Sequence, residues 1–419
     1  MRRLIFAGLS LVLLAAAWHF TANAKQVEGR APQWLRGNTH THTLWSDGNG
    51  APEWVASWYV ENGYDFLVLT DHNILSTGER WFPIKDEGRS RLTSERVQQI
   101  EDKFGEGWVE VRGEDDGQPK MRLKTLTELR ERFENETFFF IQGEEITSDF
   151  QGAPIHVNGV NLTELIPKQT GASLREVLQN AIDAVIAQSE SAGRPMFAHV
   201  NHPNFGWAMT PEDIAHIRGE RFFEVYNGHS GVRNYGDAEH ASMEQLWDMA
   251  LTLRLTTLDL GLLYGVATDD SHEYFETGLG KTNPGRGWVM VWSESRDPDT
   301  VVTAMREGEF YASSGVSLTK VHATPKSLEV AIDAEEGVTY TTRFIGTRGL
   351  SGGAGPLGEI LAETTANPAK YTFDGDELYV RATVTSSKKH PNPYAKDDPE
   401  MAWVQPVVPG KAAERTLGK

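Results

Sequence analysis

The chain has 419 residues, 39% of them hydrophobic, with 12 Trp and 0 Cys. This length predicts two or three domains with a sizeable core, and the cysteine count excludes disulfides. The formal charge of -19 argues against a nucleic-acid partner, because such binding draws most of its affinity from cationic contacts with phosphate. A small anionic substrate is compatible only where local positive charge, such as bound metal, outweighs the global field.

Residues 1–24 are predicted to be a cleaved secretory signal peptide. Arg2 and Arg3 precede an apolar run from Leu4 to Trp18, and Ala22-Asn23-Ala24 offers small residues for cleavage. The alternative is an uncleaved membrane anchor, but the run is shorter than the roughly 20 apolar residues that a spanning helix needs. We therefore expect a periplasmic or secreted protein without stable membrane insertion.

From residue 25 to 318, short apolar runs alternate with helical patterns, which predicts an α/β domain of parallel strands joined by crossover helices. The clearest helix follows the capping residue Ser173 and ends at Gly193, and another is expected from Pro298 to Glu309. The strand candidates are 35–39, 66–70, 138–142, 155–160, 195–200, 222–226 and 263–268. Seven such runs predict a seven-stranded barrel.

Two further segments flank this pattern. The polar stretch from Ser76 to Asn135, with one helix around residues 123–133, is predicted to be an insertion over one barrel mouth. It could close over the site and define substrate size, or be an inert surface excursion. From residue 319 to 419, apolar and polar residues alternate, which predicts a small C-terminal domain resembling a β-sandwich.

Histidines and carboxylates follow nearly every predicted strand, where barrels of this type carry their catalytic groups. The first strand leads into His40-Thr41-His42, whose imidazoles point to the same side of an extended chain. The other candidates are Asp47, His72, Glu144 or Glu145, His156, His199 or His202, Asp270 and His272.

Taken singly, each of these motifs has an ordinary structural explanation. Ser46-Asp47-Gly48 is typical of a turn, and Asp71 and Asp269 are more typical of helix caps than of ligands. However, seven of the 13 histidines lie at predicted strand ends between His40 and His272. Such a concentration of titratable groups predicts a functional site.

The order of these motifs resembles the PHP (polymerase and histidinol phosphatase) superfamily between about Arg36 and Gly315. Segments 224–228, 284–288, 311–315 and 402–406 are similar to its branch of carbaryl-hydrolase-like (CehA/McbA-type) metallohydrolases. The resemblance implies a distorted seven-stranded (β/α) barrel and a cluster of two or three Zn, Mn or Fe ions. It also implies phosphoester hydrolysis, the commonest activity of the superfamily.

The resemblance further implies a set of metal ligands, which is His40, His42, Asp47, His72, Glu145, His156, His202, Asp270 and His272. It favours Glu145 over Glu144 and His202 over His199, so that His199 is expected to orient a ligand or to lie in the core. Asn227 and His229 are expected to line the pocket. Nine donors exceed the needs of one tetrahedral ion, and imidazole and carboxylate donors without thiolate fit Zn, Mn or Fe.

These features predict a metal-dependent hydrolase, with a phosphomonoester or phosphodiester favoured as its small-molecule substrate. A water shared by two ions about 3.5–4 Å apart would be the nucleophile. Asp47 and His199 are the candidates for protonating the leaving group. Arg286 is the first candidate for contact with phosphate, and Arg233 and Lys281 are alternatives, although all three could be ordinary surface charges.

Two other functions stay open. One is hydrolysis of carbamates, esters or amides on the same metal site, and the other is non-catalytic binding of a metal or ligand. A cationic outer pocket would favour phosphate, whereas an aromatic lining would favour a neutral carbonyl substrate. Trp45, Trp207 and Tyr274 lie near ligand motifs and are candidates for such a lining.

Overall fold

The computed structural model describes residues 31–113, 117–349 and 356–419. The predicted signal peptide lies outside the described residues. Within these ranges, none of the helices is long and apolar enough to span a bilayer. The described chain forms a 13-stranded sheet, a four-stranded sheet, a three-stranded sheet and seven α-helices. The predicted mixed α/β class is therefore confirmed.

Between residues 31 and 317, the described strands and helices are interspersed along the chain. In chain order they are β1 (Gln33–Asn38), α1 (Pro52–Glu61), β2 (Phe66–Leu69), β3 (Trp81–Pro83), α2 (Ser94–Phe104), β4 (Val111–Arg112), β5 (Lys120–Arg122), α3 (Leu126–Phe133), β6 (Phe139–Phe150), β7 (Ala153–Val160), α4 (Leu174–Ala192), β8 (Phe197–Val200), α5 (Pro211–Ala215), β9 (Phe222–Asn227), α6 (Met243–Leu253), β10 (Tyr264–Thr268), β11 (Trp288–Ser293), α7 (Pro298–Arg306) and β12 (Phe310–Ser313).

Seven strands lie side by side in the order β10, β9, β8, β7, β6, β2, β1, and they correspond to the seven predicted runs. The two outer members of this series meet beyond their ends, where Thr41 and Ser271 form a parallel bridge. All seven strands contribute to one buried apolar cluster, with Leu35, Phe66, Ile141, Val160, Phe197, Phe222 and Val266 among its members. The strands thus curl around a shared core.

One strand departs from the predicted parallel pattern. β7 is antiparallel to both β6 and β8. It follows β6 through a tight turn at Gln151 (φ 52) and Gly152 (φ 86), the positive φ values that two-residue hairpin turns require. Because β7 runs in the opposite direction, His156 near its beginning reaches the edge where the parallel strands end.

The long helix α4 begins and ends where its caps predict. The Ser173 side chain accepts a hydrogen bond from the Glu176 backbone N–H, and Gly193 adopts the left-handed conformation. α7 ends at Arg306, three residues before the predicted Glu309, as the chain turns at Gly308 (φ 75).

The segment between β2 and β6 folds as a compact unit beside the chain that follows β1. β3, β5 and β4 form the three-stranded sheet, and α3 carries a capping box of Thr125 and Glu128 at the predicted helix. A second helix, α2, was not predicted. The unit packs against Leu44 and Trp45, and the Trp45 indole N–H donates to the Lys124 carbonyl at 2.9 Å.

From residue 318 onward, the described elements are all strands. They are β13 (Leu318–Thr324), β14 (Ser327–Ile332), β15 (Tyr340–Arg348), β16 (Glu359–Thr364), β17 (Ala369–Thr372), β18 (Glu377–Lys389), β19 (Pro399–Val407) and β20 (Arg415–Gly418). β12, β19, β18, β15 and β16 continue the large sheet, and β17, β14, β13 and β20 form the facing one. Both sheets contribute to one apolar cluster. Because β19 pairs directly with β12, the domain boundary at residue 318 stays a prediction.

A buried ionic network joins α6 to β18. The Arg381 guanidinium binds Asp248 through two hydrogen bonds of 2.8 and 2.7 Å and also donates to Glu244 at 3.0 Å. The Tyr379 hydroxyl donates to Asp248 at 2.7 Å. Arg381 and Asp248 are both buried, so neither charge has water as an alternative partner.

We expect Arg381→Met to lower the free energy of unfolding by about 3–5 kcal/mol, because it leaves the Asp248 carboxylate buried without its cation. Urea denaturation followed by circular dichroism would measure the change. Arg343→Met is the control, since Arg343 pairs with Glu363 at the surface, where such pairs contribute about 1 kcal/mol or less. Equal effects of the two substitutions would contradict the prediction.

Candidate metal centre

The structure brings the nine predicted ligands together at the edge where the parallel strands end. They form four overlapping groups in which one donor atom of each residue lies within 4.8 Å of the others. The groups are His42, Asp47, His72 and His272; His40, His202 and Asp270; His40, His42 and Glu145; and His72, Glu145 and His156. Each group could hold a metal ion.

Glu145 lies at the centre of the cluster. Its Oε1 is 3.3 Å from His40 Nε2 and 3.0 Å from His156 Nδ1, and its Oε2 is 3.4 Å from His42 Nε2 and 2.7 Å from His72 Nδ1. Burial alone would raise the pKa of Glu145, but the imidazoles, His72 first, hold that pKa well below its usual range. A single carboxylate thus contacts histidines from several strands.

Asp47 forms the open side of the cluster. Its carboxylate oxygens lie 3.3 Å from His272 Nε2 and 3.4 Å from His72 Nε2, and 53% of its side chain is exposed. Burial opposes ionisation of Asp47, but hydrogen bonds with His272 and His72 hold its pKa below the ordinary value. An ionised carboxylate among imidazoles is suited to binding a cation, not to the predicted role of protonating a leaving group.

The predicted helix-cap roles of Asp71 and Asp269 are wrong, because loops follow both residues. The Asp71 carboxylate accepts hydrogen bonds from Thr43 N (2.8 Å), Ser46 N (3.0 Å) and Ser46 Oγ (2.6 Å). Asp269 accepts from Arg286 N at 2.6 Å and Gly287 N at 2.9 Å. Each acid therefore shapes a loop beside the cluster.

Glu224 supports the cluster from behind and was not among the predicted site residues. Its Oε1 lies 2.7 Å from His40 Nδ1, and its Oε2 accepts from His202 N at 2.7 Å and Asn227 Nδ2 at 2.8 Å. A carboxylate on the far nitrogen of a ligating histidine fixes the ring and raises its basicity. The sequence signal that could have identified Glu224 is that it is the single acidic residue in the apolar strand β9.

Two other supporting residues were also missed. Asn201 Nδ2 donates to Glu145 Oε1 at 2.8 Å, and Thr147 Oγ1 lies 2.5 Å from His72 Nδ1. Asn227, predicted to line the pocket, donates to Asp270 Oδ2 at 3.1 Å. These contacts orient ligands, but their residue types are too common in a sequence to be singled out.

The backbone is strained at two of the nine candidate ligands. His202 has φ 26 and Asp270 has φ 47, values that residues other than glycine rarely adopt. Strain of this kind costs about 1–3 kcal/mol and concentrates at functional sites. The surrounding structure therefore holds these two side chains in place against a local preference.

Glu144 and His199, the alternatives to Glu145 and His202 as predicted ligands, lie behind the cluster. Glu144 accepts a hydrogen bond from Ile166 N at 2.6 Å, and burial raises its pKa to about 8. His199 lies 3.4 Å from the Thr39 carbonyl oxygen, and burial lowers its pKa to about 4. His199 is fully buried, and its role in protonating a leaving group stays a prediction.

Arg286 also has a different role from the one predicted. All five N–H groups of its guanidinium donate to oxygens of the chain, namely those of Gly228, Gly278, Lys281 and Asn392. No donor is left for phosphate among the described contacts. Lys281 is paired with Glu276 at 2.7 Å, whereas Arg233 is exposed.

The aromatic residues near the site are arranged differently from the expectation. Trp45 and Tyr274 are buried, and Trp207 stacks on His240 with ring centroids 4.1 Å apart. Phe205 is the partly exposed aromatic residue in contact with the site, 5.2 Å from the His202 ring and 5.8 Å from the His229 ring.

The donor geometry fits metal ions. His40 Nε2 and His42 Nε2 lie 3.1 Å apart, and Asp270 Oδ1 lies 3.2 and 3.1 Å from them. Donors around a tetrahedral ion with bonds of about 2.0–2.1 Å are separated by about 3.3–3.4 Å. His156 Nδ1 is buried and lies 3.0 Å from Glu145 Oε1 without the geometry of a hydrogen bond, as expected for two donors that share an ion. Burial and the nearby His272 lower the pKa of His42 to about 3, so that ring is neutral.

Known proteins resemble this chain only distantly. No family model and no curated protein matches the chain. A two-domain protein from Bacteroides vulgatus ATCC 8482 containing a predicted PHP-like metal-dependent phosphoesterase aligns with 93% of this chain and 96% of its own, at 15% identity and a TM-score of 0.41. A candidate metal-dependent phosphoesterase from Bifidobacterium adolescentis ATCC 15703 aligns with 66% and 96%, at 14% identity and a TM-score of 0.30. Both scores are too low to support an inference about this chain.

We expect Glu224→Gln to weaken metal binding by roughly 10- to 100-fold, because His40 loses the negative charge at its Nδ1. Competition with a chromophoric chelator would measure the affinity. Glu220→Gln is the matched control, since Glu220 is buried just before β9 and lies outside the metal-binding groups. An unchanged affinity in Glu224→Gln would show that Glu224 does not support the ligands.

Proposed function

We propose that the protein is an exported metal-dependent hydrolase of the PHP type, built on a distorted seven-stranded barrel, with a phosphoester as its favoured substrate. The observation that carries the proposal is the convergence of nine imidazole and carboxylate donors into overlapping groups. His40, His42, His72 and Glu145 each belong to two groups. Shared donors of this kind favour two or three neighbouring ions over one.

The residues of this centre suit Zn, Mn or Fe, since all donors are imidazole or carboxylate and the chain has 0 Cys. When bound, such ions lower the pKa of water toward neutrality and stabilise negative charge on a phosphoryl or carbonyl oxygen. His40, His42 and Glu145 would hold the inner part of the centre, and Asp47, His72 and His272 the outer part. These residues would therefore hold the ions, and with them this chemistry, at one end of the sheet.

Exposure indicates the side from which a substrate approaches. The side chains of Asp47 and His72 are 53% and 25% exposed, whereas those of His40 and His42 are fully buried. A substrate therefore meets the outer group first. Phe205 and His229 flank the cluster beside His202 and His272.

His229 is the candidate for contact with the leaving group. Burial lowers its pKa to about 4, so the ring is neutral near pH 7. Its Nδ1 accepts a hydrogen bond from Gly231 N at 2.9 Å, which places the proton on Nε2. The ring centroid is 5.2 Å from that of His272. His229 can thus donate from Nε2 to an oxygen at the edge of the centre.

A second candidate function is hydrolysis of a carbamate, ester or amide on the same centre. Phe205 favours it, because an aromatic wall suits the apolar group of a neutral substrate.

Export rests on the signal-peptide pattern of residues 1–24, and cleavage would be tested by N-terminal sequencing of the secreted protein.

The purified protein is expected to contain at least two ions per chain and to hydrolyse aryl phosphate or aryl phosphodiester with added Mn or Zn. His40→Ala should lose metal and activity, because His40 belongs to two of the groups. His322→Ala, which changes a histidine on β13, is the matched control. Metal analysis and chromogenic assays would measure both properties.

Turnover of aryl ester or carbamate without phosphate release would replace the phosphoesterase proposal by the second candidate. Less than one ion per chain after reconstitution, with no turnover of any substrate, would exclude a metallohydrolase.

His229→Ala is expected to lower kcat by roughly 10²- to 10³-fold on a substrate with a poor leaving group, because the neutral ring no longer donates its Nε2–H hydrogen bond to the negative charge that develops on the leaving oxygen. The effect should be small on nitrophenyl substrates, whose leaving group carries this charge without a hydrogen bond. Steady-state kinetics and metal analysis would separate the cases, since metal content should be unchanged. Loss of metal in His229→Ala would instead make it a ligand.

A further inference from the structure

Among the described contacts of residues 76–135, those of the Arg91 side chain reach the loop that carries Asp47. Arg91 Nη1 donates to the carbonyl oxygen of Ser46 at 2.6 Å and to that of Gly48 at 3.3 Å. These two carbonyls flank Asp47. The contact therefore spans the residue that forms the open side of the cluster.

The loop carrying Asp47 is held from two sides. Asp71 accepts hydrogen bonds from the N–H groups of Thr43 and Ser46, and Arg91 donates to the carbonyl groups on the other side of the turn. Asp71 belongs to the chain that follows β2, whereas Arg91 belongs to the inserted unit. Backbone hydrogen bonds from Leu44 N to Gly50 O and from Asn49 N to His272 O close the turn further out, and Arg91 is the partner of the two carbonyls next to Asp47.

Arg91 is itself held in place by the inserted unit. Arg96 Nη1 donates to the Arg91 carbonyl oxygen at 2.6 Å, and the Arg91 guanidinium lies 4.9 Å from the Phe82 ring. The neighbouring Leu92 is buried in the cluster that contains Leu44 and Trp45. The unit is therefore anchored to the barrel next to the loop that Arg91 contacts.

The outer group consists of His42, Asp47, His72 and His272, and it depends on this loop more than the other three groups do. Asp47 is its sole carboxylate. The Asp47 side chain is half exposed, so packing does not fix it. Its position is set by the backbone on either side, which Arg91 holds through Ser46 and Gly48.

We propose that Arg91 is a positioning residue through which the inserted unit sets the affinity of the outer ion. The proposal rests on the proposed metal centre and gives residues 76–135 a part in it. Arg91 forms no ion pair with Asp47 among the described contacts, although the two charges attract each other at longer range. Its hydrogen bonds go to the backbone on either side of Asp47, through which it positions that residue. Its loss weakens the outer ion and leaves the inner ions bound.

The test is Zn²⁺ titration of the chelator-treated full-length protein by calorimetry, with metal analysis after dialysis. In Arg91→Met we expect the weakest class of ion to bind roughly 10- to 100-fold less tightly, with the tighter classes unchanged. Arg91→Lys should partly restore binding, since an ammonium can donate to the same carbonyls. Arg122→Met is the matched control, because Arg122 pairs with Glu110 and Glu128 within the same unit.

Hydrogen exchange of residues 43–48 in the metal-free protein supplies a second readout. Faster exchange there in Arg91→Met, but not in Arg122→Met, would support the proposal. Equal metal affinities in Arg91→Met, Arg122→Met and wild type would overturn the proposal. Tighter binding in Arg91→Met would also overturn it, because it would mean that the charge of Arg91 merely repels metal. If wild type binds no metal at all, the metal centre itself fails.

Discussion

The structure depends on one electrostatic constraint, which is that buried carboxylates need cations or N–H donors around them. Glu224, Asp269 and Asp270 are buried within a few residues of strand ends, and Glu145 is buried in the middle of β6. An ionised carboxylate removed from water is unfavourable by many kcal/mol unless it is compensated. Imidazoles that follow β1, β2, β8 and β10 or lie within β7 supply that compensation, and they converge because the strands curl around a common apolar core.

The acids of the site divide into two kinds according to their partners. Asp71 and Asp269 accept backbone N–H groups and thereby shape loops, whereas Glu145 and Asp270 face imidazole nitrogens. In each of the sequences Thr70-Asp71-His72 and Asp269-Asp270, a loop-shaping acid stands directly before a candidate ligand. Since successive side chains of an extended chain point to opposite sides, Asp71 and His72 can serve both tasks at once. At the second pair, the left-handed conformation of Asp270 (φ 47) separates the directions of the two side chains. The same local geometry that presents a ligand therefore also rigidifies its surroundings.

The sequence predicts the parts of this arrangement that are local. The strand ends, the caps of α4 and the nine candidate ligands each depend on a few neighbouring residues. What the sequence does not reveal depends on partners far along the chain. In the sequence, Glu224 stands out only as a single acidic residue in an apolar strand. Its role becomes visible in the structure, where it lies beside His40. Arg286 resembles a substrate contact until its partners at Gly228, Gly278 and Asn392 are known. The direction of β7 depends on a Gln151-Gly152 turn that lacks the usual asparagine or aspartate.

The C-terminal strands take part in the same network, although their alternating pattern of apolar and polar residues separates them from the α/β part of the chain. His390 Nε2 lies 3.1 Å from the Gly285 carbonyl oxygen, and Asn392 accepts from the Arg286 guanidinium. Arg286 and Gly287 in turn donate their backbone N–H groups to Asp269, the neighbour of Asp270. A series of hydrogen bonds therefore runs from the loop between β18 and β19 to Asp269, the residue that precedes the candidate ligand Asp270. With Arg91 acting from the inserted unit, residues from two segments outside the seven strands support the candidate centre.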